Sequence, residues 1–186
     1  MRTLHPPLPA AGNLASAWIP SPLGPMVAVA DDAGLLLLDF ADRRDLPAAL
    51  ARIAAHLPPD SSSPPDHPHL SLIARELRDY FAGDRLNFTC PLAPTGTPFE
   101  LRAWTYLRTI PPGETRTYGQ QAATIASPAA SRAVGRANGN NFLAIVVPCH
   151  RVIGAAGKLT GYGGGLHRKA WLLEHELRVR MELAAR

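Results

Sequence analysis

A proline, a cysteine, a histidine and an arginine stand in a row at Pro148-Cys149-His150-Arg151, directly after an apolar run that ends at Val147. Thiolate is the reactive form of cysteine, and cationic surroundings without carboxylates favour it. His150 and Arg151 offer such surroundings. A histidine can also relay the thiol proton when an acid fixes its far nitrogen, and Glu174 and Glu176 are the nearest acids in sequence. Residues 143–147 read as a short buried strand, which puts Cys149 at a strand-to-turn corner. Neighbouring side chains of an extended strand point to opposite faces. Cys149 and His150 therefore need turn geometry, or a bridging water, to exchange a proton. Each part taken singly is weak: a lone cysteine is usually a small buried hydrophobe, which is the reading for Cys90. What raises Cys149 is its company. No Asp or Glu occurs between Glu114 and Glu174, while Arg116, Arg132, Arg136, Arg151, Lys158, Arg168 and Lys169 do. Such a segment suits a polyanion; a solvated basic face is the plainer alternative.

These residues need elements to position them. Thr97-Pro98 is a helix start, a capping residue followed by Pro at the first helical position. Phe99, Ala103, Trp104, Leu107 and Ile110 then share one helical face, and Pro111-Pro112-Gly113 breaks the helix. A short helix over about 118–125 precedes Ser127-Pro128, a second start signal. In the helix beginning there, Ala130, Val134 and Ala137 lie on one side, with Arg132 and Arg136 roughly opposite. Two short helices joined by a tight turn, the second apolar behind and cationic in front, describe a helix-turn-helix. A surface helix with two solvated arginines competes with that reading. Gly135 costs the helix about 1 kcal/mol relative to alanine, which the close approach of another backbone, such as a nucleic-acid strand, would explain. Asn138 to Asn141 ends this helix. Gly161 to Gly165 forms a loop of little bulk, and Leu166, Ala170, Leu173 and Leu177 mark the inner face of a last helix. Upstream, Met26 to Ala30 and Leu35 to Phe40 form a β-hairpin around Asp31-Asp32-Ala33-Gly34. Leu46, Leu50, Ile53 and Leu57 follow at helical spacing, residues 58–68 read as a Pro- and Ser-rich linker, and another helix spans about 69–82 and stops at Gly83.

With 186 residues, 46% hydrophobic and 18% charged, the chain is too apolar to be disordered and long enough for one roomy domain or two small ones. Two cysteines exclude a disulfide framework and a four-thiolate zinc site, and no metal is expected. A reduced, cytoplasmic setting is the default. The longest apolar runs fall far short of a membrane span, and the N-terminus lacks the apolar core of a signal peptide. The net charge of +4 is unevenly spread, acidic before residue 97 and basic after it. Residues 90–97, where the sign changes, read as a connector between a domain over 1–89 and another over 98–186.

Pro148-Cys149-His150-Arg151-Val152 resembles the active-site signature of the O6-alkylguanine-DNA alkyltransferases, or methylated-DNA–protein-cysteine methyltransferases. The likeness extends upstream to Ser131-Arg132-Ala133-Val134-Gly135 and Asn141. Downstream it takes in Gly161-Tyr162-Gly163-Gly164 and residues 168–176, so that it covers about 97–177. The N-terminal part matches mainly in arrangement and has no four-cysteine zinc module, as in the stand-alone bacterial form. The resemblance implies an α/β protein: an N-terminal ribonuclease-H-like α/β domain, then a C-terminal winged-helix-like helical domain with the helix-turn-helix. It implies direct DNA repair without a cofactor. Cys149 would take the alkyl group from O6-alkylguanine in duplex DNA, and less efficiently from O4-alkylthymine, once per chain.

By the same resemblance His150 is a water-mediated base, oriented by Glu176. Tyr118 donates to guanine N3, the Gly163 N–H donates to O6, and the Cys149 and Val152 carbonyls accept from the exocyclic amine. Tyr162 walls the pocket and Asn141 braces the active-site turn. The recognition helix enters the minor groove through Ala130, Ser131, Gly135 and Arg136, and Arg132 fills the space left by a flipped nucleotide. Arg136 and Asn138 stand where some relatives carry Gly or an apolar residue. The partner is double-stranded DNA and the protein a monomer, with cooperative loading on DNA left open. Two other classes compete: a lesion-binding alkyltransferase-like protein, against which the presence of Cys149 argues, and a cysteine hydrolase, which would turn over.

Overall fold

The computed structural model describes residues 14–54 and 67–185. Of the linker expected over 58–68, residues 58–66 lie outside them, as does Leu57, while His67 and Pro68 cap and open a helix. Three antiparallel strands, β1 (Ala15–Ile19), β2 (Met26–Asp31) and β3 (Gly34–Phe40), form a sheet in that order. The β2–β3 hairpin is the one expected. Asp31 Oδ1 closes its turn by accepting from the Ala33 and Gly34 amides at 2.9 and 3.1 Å. Every residue of β2 and β3 is buried, because helices cover both faces. Val27, Val29, Leu36 and Leu37 pack with Leu46 and Ala49 of α1 (Leu46–Ala54). Met26, Ala28, Leu35, Leu38 and Phe40 join the main core with Leu70, Ile73, Leu77 and Tyr80 of α2 (Pro68–Ala82), which begins one residue before the expected start and ends at the left-handed Gly83. Strand β1 adds an element that the sequence reading lacked; its burial alternates, but the outward position of Trp18, 71% exposed, carries an apolar side chain and hides the alternation in the sequence.

The outer edge of β3 carries what comes next. Leu35 N donates to Pro91 O at 2.8 Å and Ala93 N to Leu35 O at 2.9 Å, so the 90–97 stretch is laid along the sheet. Gly34 allows this approach: at φ +148° it holds a conformation side chains avoid, and a Cβ there would lie 2.6 Å from Pro91 O. Further along the same edge, Leu38 N donates to Phe142 O and Ala144 N to Leu38 O, both at 2.7 Å. The sheet thus holds the segment leading to Cys149.

Helix α3 (Pro98–Leu107) starts as its sequence predicts, with a reciprocal capping box between Thr97 and Glu100. Strand β4 (Arg116–Thr117) pairs in parallel with β5 (Val152–Ile153). Thr117 then caps α4 (Tyr118–Ile125) with Gln120. A one-turn 3-10 segment, Pro128–Ala130, leads into α5 (Ser131–Gly139). The α5 helix therefore begins later than Ser127-Pro128 suggested, and Ser127 makes no side-chain cap. Buried amides lock α4 to α5: Asn138 Nδ2 donates to Gln121 Oε1 at 2.8 Å, and Gln121 Nε2 to Asn138 Oδ1 at 3.3 Å. Trp104 Nε1 of α3 donates to Ala137 O at 2.8 Å and fixes the back of α5.

Two expectations fail here. Residues 143–147 are a buried turn, in which Leu143 makes a single parallel bridge to Leu38 and Ile145 has a left-handed φ of 72°. Asn141 bends the chain there, accepting from Leu143 N at 3.0 Å and donating to Val147 O at 2.8 Å. The last helix, α6 (Leu166–Ala184), buries Arg168, Lys169, Leu172, His175, Glu176 and Val179. Leu166 and Leu177 of the expected inner face are 47% and 50% exposed, and Ala170 is exposed. Its inward side faces carbonyls and carboxylates, and polar groups line it accordingly.

Candidate active site

Cys149 opens a one-turn 3-10 segment, Cys149–Arg151, so it and His150 follow a helical path and not an extended one. Its sulfur is buried and accepts from Asn141 Nδ2 at 3.3 Å. Asn141 thereby ties the turn and the thiol together. Burial lifts the thiol pKa above its ordinary value; the Asn141 donor and the cations Arg43 and Lys169 oppose that, while Asp39 adds to it. Cys90, by contrast, is a buried thiol pushed up to about 11 by burial and by Glu76, as befits an inert packing residue.

Behind Cys149, His150 is fully buried, and its Nε2 lies 3.0 Å from Glu176 Oε1. Arg151 does not serve the sulfur as the sequence suggested. Its Nε and Nη2 grip Glu176 at 2.9 and 2.8 Å, and its Nη1 donates to Ile110 O. The Glu176 carboxylate also accepts from Tyr80 Oη at 3.1 Å and from Gly113 N at 3.2 Å. Burial alone would raise its pKa, but His150 and Arg151 outweigh that and hold it well below the carboxylate range. Burial keeps the imidazole of His150 below its usual pKa against the pull of Glu176. Arg151 already neutralises that carboxylate, so burial favours the uncharged imidazole of His150. Its Nδ1 has no hydrogen-bond partner among the described residues.

The other expected residues gather around this centre. Tyr118, at the start of α4, donates to the carbonyls of Thr160 and Gly161 at 3.3 and 3.2 Å, and its phenol is pushed up to about 12 by burial and by Cys149. The Tyr162 ring meets His150 edge-on at 6.4 Å, and its buried hydroxyl lacks a partner among the described residues. Gly163 is exposed, and a Cβ on it would lie 2.8 Å from the Arg43 guanidinium. Val152 is buried; its carbonyl accepts from Lys169 Nζ, and the Cys149 carbonyl accepts from the Val152 amide. Each carbonyl keeps a second lone pair for a further donor.

Arg132 and Arg136 are exposed on α5, and Val134 and Ala137 are buried behind them. Ser131 is spent on its own turn, donating to Pro128 O at 2.9 Å, and Ala130 sits half-buried before the helix begins. The basic segment is less of a face than its composition suggested. Arg151, Arg168 and Lys169 are buried and internally bonded, and Arg116 pairs with Glu114 at 3.0 Å. Arg43, Lys169 and Tyr80 were missed as site residues. Arg43 and Tyr80 come from the N-terminal half and no local pattern joins them to Cys149; Lys169 shows only as one more cation of the basic segment.

Comparison with known proteins places these features in a family. A family model described as 6-O-methylguanine DNA methyltransferase, ribonuclease-like domain, matches residues 15–94, and one for the DNA binding domain of the same proteins matches 98–178. The methylated-DNA–protein-cysteine methyltransferase of Mycobacterium tuberculosis is 46% identical over 85% of this chain and 89% of its own. That of Methanosarcina acetivorans is 46% identical over 84% and 94%. Among solved structures, the M. tuberculosis O6-methylguanine methyltransferase superposes with a TM-score of 0.74 at 43% identity, covering 89% of this chain and 93% of the other. The M. tuberculosis protein in complex with DNA gives 0.75 at 43% identity, covering 89% and 94%.

Proposed function

The chain belongs to the 6-O-methylguanine DNA methyltransferase family, and from that membership together with the site we infer how it works. The protein repairs alkylated guanine in DNA by moving the alkyl group to one of its own cysteines. We assign that role to Cys149, supported by one observation above others: its sulfur rests on Asn141, and the next residue, His150, is buried against the Glu176 carboxylate. The thiol proton passes to His150 through a water. The sulfur then attacks the alkyl carbon; the S–C bond forms as the C–O bond breaks, and the electron pair leaves on guanine O6. Donors at Tyr118 and at the Gly163 amide stabilise that oxyanion-like leaving group. The product is a thioether that water does not cleave, so each chain acts once.

The target atom lies inside the duplex, so the nucleotide must leave the stack. Arg132, exposed at the start of α5, takes the vacated place, and Ala130, Ser131, Gly135 and Arg136 line the minor groove around it. O4-alkylthymine is the poorer substrate. Tyr162 and the Val152 carbonyl complete the pocket. We divide the chain at 90–97 into the two domains expected, and assign it to the cytoplasm as a monomer; among the described residues no helix is long and apolar enough to cross a membrane.

The test is intact mass after mixing with duplex DNA carrying O6-methylguanine. One added methyl group per chain, mapped to Cys149 and absent from Cys149→Ala, is expected. Multiple turnover, or a methyl group on any other residue, overturns the assignment.

A further inference from the structure

Arg43 lies just after β3 in the N-terminal half, more than a hundred residues before Cys149, yet it is only 6% exposed. Its Nη1 bonds Asp39 and the carbonyl of Asn141, and its Nη2 bonds the carbonyl of Gly139, the last residue of α5. The guanidinium lies 4.0 Å from the centroid of the Phe142 ring. On another side it fills the space where Gly163 would carry a Cβ, with Cζ, Nε and Nη1 all 2.8–3.1 Å from that point. One planar cation therefore touches the end of the helix that carries Arg132, the residue that hydrogen-bonds the Cys149 sulfur, and the Gly163 loop. A flat, fixed fork of donors suits such bridging, where a lysine would be a flexible point charge.

We propose that Arg43 is a positioning residue of the transfer reaction: it holds the α5 terminus, Asn141 and the Gly163 loop in one register around Cys149, with Asp39 as its anchor. The inference rests on Cys149 being the acceptor. The charged and titratable groups that act on that sulfur are Asp39 and Arg43 from the β3 side, Lys169 from α6, Tyr118 from α4 and Tyr162 from the loop, with His150 adjacent in the chain. Asp39 and Arg43 push the thiol in opposite directions.

The experiment compares Arg43→Gln, Arg43→Lys and Asp39→Asn in the full chain, reading alkyl transfer from free O6-benzylguanine against pH. Iodoacetamide labelling of Cys149 and thermal melting are read alongside. For Arg43→Gln the rate at neutral pH should fall about tenfold and the pH midpoint rise by about one unit. Asp39→Asn should move the midpoint down. Arg43→Lys should leave the midpoint in place and still react more slowly, because its single ammonium cannot hold both carbonyls and the loop. If Arg43→Gln does not melt cooperatively, the opposed behaviour of Arg43→Lys and Asp39→Asn decides. Unmoved midpoints, or one common loss of rate at every pH in all three variants, would overturn the proposal. Failure of the wild-type protein to take a methyl group from duplex O6-methylguanine, with iodoacetamide midpoints still displaced, would sink the assigned reaction and leave the coupling of Arg43 to the Cys149 thiol standing.

Discussion

Glu176 shows how a single buried carboxylate can be kept ionised. Arg151 grips both its oxygens while His150, Tyr80 and Gly113 satisfy what is left, so the charge is taken from water without being left unpaired. This arrangement sets a pH dependence with a definite sign. In the unfolded chain His150 takes a proton near 6.5 and Glu176 near 4.5; in the fold both resist protonation. The unfolded state therefore binds more protons in acid, and stability that is whole above pH 6.5 is lost as pH falls, first through His150 and then through Glu176. Thermal melts should show the midpoint dropping on acidification below about 6.5. His150→Asn should flatten the upper part of that decline; an unchanged slope would mean that His150 is already charged in the fold.

The α5 helix carries a glycine that its interior does not require. A methyl group at Gly135 would meet only Tyr118, at an ordinary 3.8 Å. Gly135→Ala should thus stabilise the fold by up to about 1 kcal/mol, seen as a higher melting temperature. It should weaken binding to duplex DNA, because the added carbon stands between the helix and the backbone it approaches. Tighter or unchanged binding would refute that reason for the glycine. Elements such as α3, α4 and the β2–β3 hairpin were legible because caps, prolines and apolar spacing agree there. The 143–147 run was not, since a short apolar stretch cannot reveal that Asn141 bends it into a turn. Nor was the inward side of α6, because periodicity assumes an apolar interior and this helix buries Arg168, Lys169, His175 and Glu176 instead. Around the site, Cys149, His150 and Glu176 could be found from motif resemblance. Arg43 could not, since Gly139, Asn141 and Gly163, which tie it to the site, are distant in sequence.

Across the molecule, folding withdraws much of the positive charge that composition advertises. Of the seven cations between Glu114 and Glu174, Arg151, Arg168 and Lys169 are buried, and Arg116 is paired. Arg132, Arg136 and Lys158 remain exposed with no ion pair among the described residues. Duplex binding should weaken with salt along a log–log slope of about −3 from these side chains, where all seven would give about −6; a flat profile would contradict the phosphate contacts. The withdrawn charges do other work. Arg168 of α6 clasps Asp42 at 2.8 and 2.9 Å and donates to Leu23 O at 2.8 Å. His175 meets the carbonyl of Tyr80 at 2.7 Å, whose hydroxyl reaches Glu176. One rod of helix is therefore bolted to the opposite half of the protein at each of these points. A chain severed at 90–97 would leave Arg168 without Asp42 and Glu176 without Tyr80, so the piece carrying Cys149 should transfer no alkyl group until the front half is added back.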